Sequence, residues 1–487
     1  MMMTTTTTAT NTRLIALSSF LLRFKIRSSL SKPYALAFKH SENEGGGAIC
    51  SARRCIEPHH FLTVENRLER SGVQGHPMAE KRLAIEGGKP VRVDPWPTRD
   101  LYDDSEISSV VRLLENSRRE PHRLWRREGR KAAEFEEAFA AYTGCRFATA
   151  SSSGTAAVHL ALAACEFEPN SEVIVSPITD VGSVTPILYE NLVPVFADVD
   201  PSSLNMDPSS IASRVSRKTK AIVLVHLGGY VCDMDPIMKI ARERGIVVIE
   251  DCAQTLGASY HSRMAGTIGQ FGTFSFMGIK HIVTGGEGGM TVTSDEDSWR
   301  KMMIFSRNML TPGADFLYDV PFKVLNYRMT EIQAALGVEQ LKKVDSILER
   351  RRVLFRTLAG SIKHLKSIKM AEPLEGTVAS PWYPIFTLNL EMLTVDSKAY
   401  AESLRAEGIP CAAGYIQIPI YQYHFMRKYA IRDNPNHIEY EHCCPVAEES
   451  LNRILRLWGG DLHESCTERE VHDIVAAFEK LEDRYSK

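Results

Sequence analysis

Lys280 closes the stretch Phe274-Ser275-Phe276-Met277-Gly278-Ile279-Lys280, and a glycine-rich run, Thr284-Gly285-Gly286-Glu287-Gly288-Gly289, follows it. Upstream, the apolar run Ile246-Val247-Val248-Ile249 ends on Glu250-Asp251-Cys252-Ala253-Gln254. A lysine on a small-residue loop, downstream of a strand that ends in a carboxylate, is a way of holding pyridoxal phosphate. The amine forms a Schiff base, and the carboxylate keeps the pyridine nitrogen protonated so that the ring can accept electrons.

Such a cofactor makes further demands. Its phosphate needs oriented amide donors, best supplied where a helix begins. Ser151-Ser152-Ser153-Gly154-Thr155 precedes an Ala156-rich helical stretch and meets that need, although the same turn is also an ordinary helix cap. Asp251 stands at the carboxyl end of a buried strand, where ligands of open α/β sheets collect; a structural cap is the competing reading. Lys280 is the sole Asp, Glu, Lys or Arg between Phe271 and Gly286. Desolvation in such a segment favours the neutral amine. Ser275 can donate a further hydrogen bond to the phosphate. The order of these signals along the chain joins them into one site.

The elements that must position these residues follow a regular alternation. Strands are expected at Phe147–Ser151, Glu172–Ser176, Val193–Phe196, Ala221–His226 and Val247–Glu250, with helices at Ala156–Cys165 and Pro236–Arg244. Continuous Val/Ile/Leu strands separated by helices indicate an α/β fold with a mostly parallel sheet buried on both faces. A long helix is expected over Glu331–Phe355. Beyond it, a strand at Tyr383–Leu390, a helix at Val395–Glu407 and a capping box at Thr467-Glu468-Arg469-Glu470 suggest a smaller α+β unit. The expected division is an extension over 1–80, a large domain over 81–355 and a small C-terminal domain over 356–487.

Several motifs carry a family resemblance. They are Ser153-Gly154-Thr155-Ala156-Ala157, Val193-Pro194-Val195-Phe196-Ala197-Asp198-Val199-Asp200, Val225-His226-Leu227, Glu250-Asp251-Cys252-Ala253-Gln254, Glu287-Gly288-Gly289 and Asn326-Tyr327-Arg328-Met329-Thr330-Glu331. Together they resemble the DegT/DnrJ/EryC1/StrS family, from about Leu83 to the last helix. The resemblance implies a fold-type I, pyridoxal-phosphate-dependent aminotransferase that moves an amino group, with glutamate as expected donor, to a keto sugar, a nucleotide-linked keto sugar or a keto-cyclitol. It implies Lys280 as the Schiff-base lysine and proton shuttle, Asp251 on the ring nitrogen and Gln254 near the ring's phenolic oxygen. Gly154, Thr155, Ala156 and Ser275 would hold the phosphate. Asn326 would reach the phosphate of a neighbouring subunit, which implies a homodimer with shared active sites. Tyr415 and His226 are the expected substrate contacts. The alternatives are a sugar dehydratase, whose relatives carry His in place of the lysine, and a non-enzymatic cofactor-binding regulator.

Three departures accompany the resemblance. Asp180 stands beside the cofactor where relatives carry a ring-stacking aromatic residue. The glycine run at Thr284 is one residue longer than the common form. Arg118 to Lys131 is strongly basic where many relatives carry glycines, which suits either a phosphate clamp or a solvated helix face.

The 487 residues are 44% hydrophobic and 24% charged, with a net charge of -2, so no electrostatic argument points to nucleic acid or an acidic membrane surface. No apolar run reaches the roughly 18 residues needed to span a bilayer. The ten cysteines form no C-x-x-C pair or zinc spacing, so reduced thiols and no metal are expected. Residues 1–41 contain no Asp or Glu yet carry six Lys and Arg among many Ser and Thr. They read as a tail ahead of a start at Met78, as an organelle transit peptide or, from Leu14–Leu22, as a secretory signal. A cytoplasmic location is expected in the first case and an organelle in the second.

Overall fold

Seven strands form the layer that carries the site, and four of them are mainly apolar runs. The computed structural model describes residues 82–120, 124, 130–307, 322–431, 435–457 and 462–487. The strands are β1 (Phe147–Ser151), β2 (Glu172–Val175), β3 (Val193–Phe196), β4 (Thr219–Val225), β5 (Val247–Asp251), β6 (Phe271–Ser275) and β7 (Gly289–Thr293). They lie in the order β1-β7-β6-β5-β4-β2-β3. Pairings from β3 through β6 are parallel, and β7 runs antiparallel to both neighbours. Both faces are covered. In β4, Ala221 and Val223 enter one core while Ile222 and Leu224 enter another, all fully buried. Each such Val, Ile or Leu side chain contributes about 1.5–3 kcal/mol on leaving water, which is why β4 reads as a continuous apolar run.

Helices return the chain between strands. α1 (Gly154–Ala164) starts directly after β1, and the Ser153 hydroxyl accepts the Ala156 N–H. α2 (Val181–Tyr189) follows β2 and is capped by Asp180, while α3 (Met234–Arg244) connects β4 to β5. The long helix expected over Glu331–Phe355 is instead two, α4 (Glu331–Leu341) and α5 (Val344–Ser361). At the break, Lys343 Nζ reaches both carboxylate oxygens of Glu106 at 2.7 Å, and Gln340 donates to the same group. Arg356, where the second domain was expected to begin, lies inside α5.

A second sheet of four antiparallel strands follows, β8 (Ile368–Met370), β9 (Ile385–Leu388), β10 (Ala412–Ala413) and β11 (Ile454–Arg456), in the order β8-β9-β11-β10. Leu455 of β11 packs under α6 (Ser397–Ala406) and α7 (Glu468–Tyr485), in a core that also holds Val471, Ile474 and Phe478. α7 opens on the expected capping box. Ile454 and Ile385 turn the other way, into the core they share with β2 and β4. All described residues fall in one compact unit within Gly75–Lys487.

The N-terminal extension and most of the basic segment after Glu120 lie outside the described residues. Among the described residues no disulfide forms, and no helix is long and apolar enough to cross a membrane.

Candidate active site

The carboxyl ends of β4, β5 and β6 open onto a cavity of about 450 Å³. Gly154, Thr155, Asp180, Asp251, Gln254, Ser275, Lys280 and Tyr415 all line it. These side chains come from six segments spread over more than half of the chain.

At one end lies the start of α1. The N–H groups of Gly154 and Thr155 belong to its first turn and have no intrahelical acceptor. A Cβ at Gly154 would sit 2.7 Å from Cβ of Ser275, so glycine is what lets this turn close against the end of β6. Ala156 is buried behind the turn with its N–H already engaged by Ser153, and it does not line the cavity.

Asp251 is 7% exposed. Its Oδ2 accepts from the Ser183 hydroxyl at 2.7 Å and its Oδ1 from the Ala253 N–H at 3.1 Å. Burial pushes its carboxyl above the usual range, a shift opposed by these hydrogen bonds and by the charge of Lys280. The neighbouring Glu250 faces the other side of β5, as strand alternation requires. Its oxygens accept from the N–H groups of Gly266, Ile268 and Gly269 at 2.6–2.8 Å.

His226 joins Glu250 and is not brought to the cavity, contrary to its expected role as a substrate contact. It is fully buried. Nδ1 accepts the Cys232 N–H at 3.1 Å, so the ring proton lies on Nε2 and is donated to Glu250 at 3.1 Å. With Cys252 these side chains form a compact His/Glu/Cys group, in which both His226 ring nitrogens and both Glu250 oxygens are already hydrogen-bonded within the fold.

Lys280 is 7% exposed, and its Nζ lies 3.5 Å from the ring centroid of Trp382. Trp382 is fixed by its own N–H, donated to the Ile279 carbonyl at 2.8 Å. The lysine's main chain is held from the opposite side: Arg99 donates to the carbonyl oxygens of Lys280 and His281. Arg99 pairs with Glu464 at 2.6 Å, and Glu464 pairs with Arg351 at 2.8 Å. Despite burial, which raises its pKa, these two arginines hold Glu464 below its ordinary value. None of Trp382, Arg99, Arg351 or Glu464 was legible as part of the site. They lie far from Lys280 in sequence and carry no local motif.

Gln254 donates to the Tyr415 hydroxyl at 3.0 Å and accepts the Gly228 N–H at 2.7 Å. Tyr415 lies parallel to Tyr383, with ring centroids 5.7 Å apart, and burial raises its pKa. Asp180 gains a local role that an aromatic residue could not fill: its Oδ1 caps α2 by accepting the Gly182 N–H at 2.9 Å. Asn326 is exposed and lies outside this cavity, its side chain accepting the Arg328 N–H of its own loop at 3.5 Å.

Comparison with known proteins places this geometry. The model of the DegT/DnrJ/EryC1/StrS aminotransferase family matches residues 107–479. The chain belongs to the DegT/DnrJ/EryC1/StrS aminotransferase family. It is similar to the L-glutamine:2-deoxy-scyllo-inosose aminotransferase of Streptomyces paromomycinus, 32% identical over 82% of this chain and 97% of that protein. It is also similar to the GDP-perosamine synthase of Caulobacter vibrioides, 44% identical over 46% of this chain, a match that spans 59% of that relative's length. Among solved structures, the aminotransferase from Psychrobacter cryohalolentis superposes with a TM-score of 0.70 at 30% identity, covering 79% of this chain and 98% of that one. The protein is thus an aminotransferase, and the dehydratase and regulator readings are not favoured.

Proposed function

We propose that this protein uses pyridoxal phosphate to transfer an amino group from an amino-acid donor to a keto sugar or keto-cyclitol. The observation that carries the cofactor is Asp251: a nearly buried carboxylate, pre-oriented by Ser183 and Ala253, in the same cavity as Lys280. Burial makes its charge costly without a cationic partner. A protonated pyridine supplies one. The turn at Gly154, which a Cβ would obstruct, fits a phosphate beside Ser275.

When bound, pyridoxal phosphate supplies a carbonyl that captures amines and a ring that accepts electrons. The protein's own residues do the rest. Gly154, Thr155 and Ser275 would hold the phosphate, Asp251 would accept the hydrogen bond of the ring nitrogen, and Gln254, its amide fixed by Gly228 and Tyr415, would serve the ring's oxygen. Lys280 would supply the amine that holds the cofactor's carbonyl carbon. With its amine free, Lys280 Nζ would hold and move the proton of the donor's α-carbon. The Trp382 face beneath it excludes water. Asn326 would serve a neighbouring subunit's phosphate, making the working unit a homodimer.

The relatives' printed names support acceptors of both the cyclitol and the nucleotide-sugar kind. The test is spectroscopic. Glutamate or glutamine should change the visible absorbance of the purified protein and release the matching keto acid. A keto-inositol or nucleotide keto sugar should reverse the change. If no donor in a broad amino-acid panel alters the spectrum, the proposal is wrong.

A further inference from the structure

Cys443 and Cys444 take no part in holding the cofactor, yet they are placed to react with each other. Their sulfurs lie 3.7 Å apart. Cys443 is half-buried, while Cys444 is fully buried in the core that also holds Tyr421 and Tyr440. Burial pushes up the thiols of Cys145, Cys165, Cys252, Cys411 and Cys466. Cys443 differs. The Cys444 thiol donates to its sulfur and holds it below its ordinary value against burial, and the Arg214 guanidinium adds to the effect. Arg214 is fixed there by donating to the Cys443 carbonyl at 2.5 Å. A partly exposed, acidic thiol beside a second sulfur is the arrangement of a reactive cysteine with its resolving partner.

The pair stands where a shift of the main chain would be felt at the active-site cavity. The Cys444 carbonyl accepts the Glu448 N–H at 3.1 Å as the helix Pro445–Leu451 opens. Glu448 accepts the Tyr421 hydroxyl at 2.5 Å and the Gln422 amide at 3.0 Å. In the same turn, Ile420 donates its N–H to the Pro177 carbonyl at 2.9 Å. Thr179 and Asp180, just beyond Pro177, line the cavity.

We propose that Cys443 and Cys444 form a redox modification site, closed into a disulfide by a peroxide, and that closure loosens the Tyr421 turn from the loop at Pro177. The Cys443 sulfur attacks one peroxide oxygen: an S–O bond forms, the O–O bond breaks, and the other oxygen leaves as water with the Cys443 proton. The Cys444 sulfur then displaces the oxygen on Cys443. An S–S bond forms, the S–O bond breaks, and a second water carries off the Cys444 proton. The sulfurs lose two electrons in all and the peroxide gains them. Adjacent α-carbons stand about 3.8 Å apart across a trans peptide, below the roughly 4.4–6.8 Å usual across a disulfide. Ring closure therefore moves the main chain that Arg214 and Glu448 hold.

The effect on turnover rests on the aminotransferase reading above, whereas the modification and the loosening do not. Full-length holoenzyme is treated with hydrogen peroxide, alkylated with iodoacetamide, digested and weighed. The peptide holding both residues should be unalkylated and lighter by two hydrogens, and dithiothreitol should reverse the change. In the oxidised protein, hydrogen exchange at the Ile420 amide should quicken about fivefold or more, and kcat/KM for the keto acceptor should fall by a similar factor. Cys443→Ser should lose all three responses. Cys444→Ala should instead leave Cys443 as a sulfenic acid that dimedone traps, with thermal unfolding as the check on its packing. Both thiols alkylated after peroxide, a disulfide to any other cysteine, or a closed pair with Ile420 exchange unchanged would each overturn the proposal. If the wild type aminates no keto substrate, the aminotransferase reading fails by that result, while peptide mass and exchange still decide the role of the pair.

Discussion

Replacing Glu464 by Gln removes one charge from the clamp that holds the Lys280 loop. The carboxylate pairs with Arg99 at 2.6 Å and Arg351 at 2.8 Å, and the three side chains are 13%, 12% and 1% exposed, respectively. Two nearly buried guanidiniums would then share one neutral amide. Breaking a buried pair by removing one partner costs about 3–5 kcal/mol. Glutamine keeps the size and one acceptor oxygen, so the lower end, about 3 kcal/mol, is expected. That is a large part of the ~5–15 kcal/mol by which a folded protein is stable. Urea unfolding followed by both tryptophan fluorescence and far-ultraviolet circular dichroism measures it. Adding Arg99→Gln to the variant should cost less than Arg99→Gln alone, because the shared partner is already gone. The pH dependence carries a sign. The carboxyl is held below its ordinary value of 4.5, so its stabilisation is present above that value and is lost as pH falls through the lowered folded one. The gap between wild type and variant should therefore close in acid. A loss below about 1 kcal/mol at pH 7 would place Glu464 among ordinary surface ion pairs and refute the clamp.

Asp251→Asn should separate two effects. Without cofactor the variant should be as stable as wild type or more so at pH 8, because burial raises the wild-type carboxyl and ionising it costs energy. That advantage should shrink as pH falls towards the ordinary carboxyl value of 3.8, where the wild-type group is protonated in the fold. With cofactor the order should reverse, seen as faster loss of visible absorbance on dialysis. Gly154→Ala sets a Cβ 2.7 Å from that of Ser275. It should cost about 1–3 kcal/mol in thermal unfolding and weaken cofactor binding; adding Ser275→Gly should recover the stability but not the binding.

How much of this was legible in the sequence depended on how local each signal is. The order of Gly154, Asp251, Ser275 and Lys280 could be read because each follows a strand or opens a helix, and the strand ends bring them together. His226 was misplaced for a physical reason. β4 is apolar on both faces, so its sequence does not reveal which way the residue after Val225 turns, and Glu250 draws it from the cavity. The break between α4 and α5 is not legible because the apolar spacing continues through it, while Glu106, which binds Lys343 at the break, lies far away along the chain. Trp382 and Glu464 belong to the C-terminal part and meet Lys280 or its cavity only through the fold. No motif of their own announces them.

The central claim is that Lys280 is the residue that captures the cofactor. Borohydride reduction of the purified protein, followed by digestion and mass spectrometry, tests it most directly. The account predicts a phosphopyridoxyl group on Lys280 and on no other lysine, with none in Lys280→Ala. Its attachment to a different lysine, or undiminished labelling of Lys280→Ala, would contradict it.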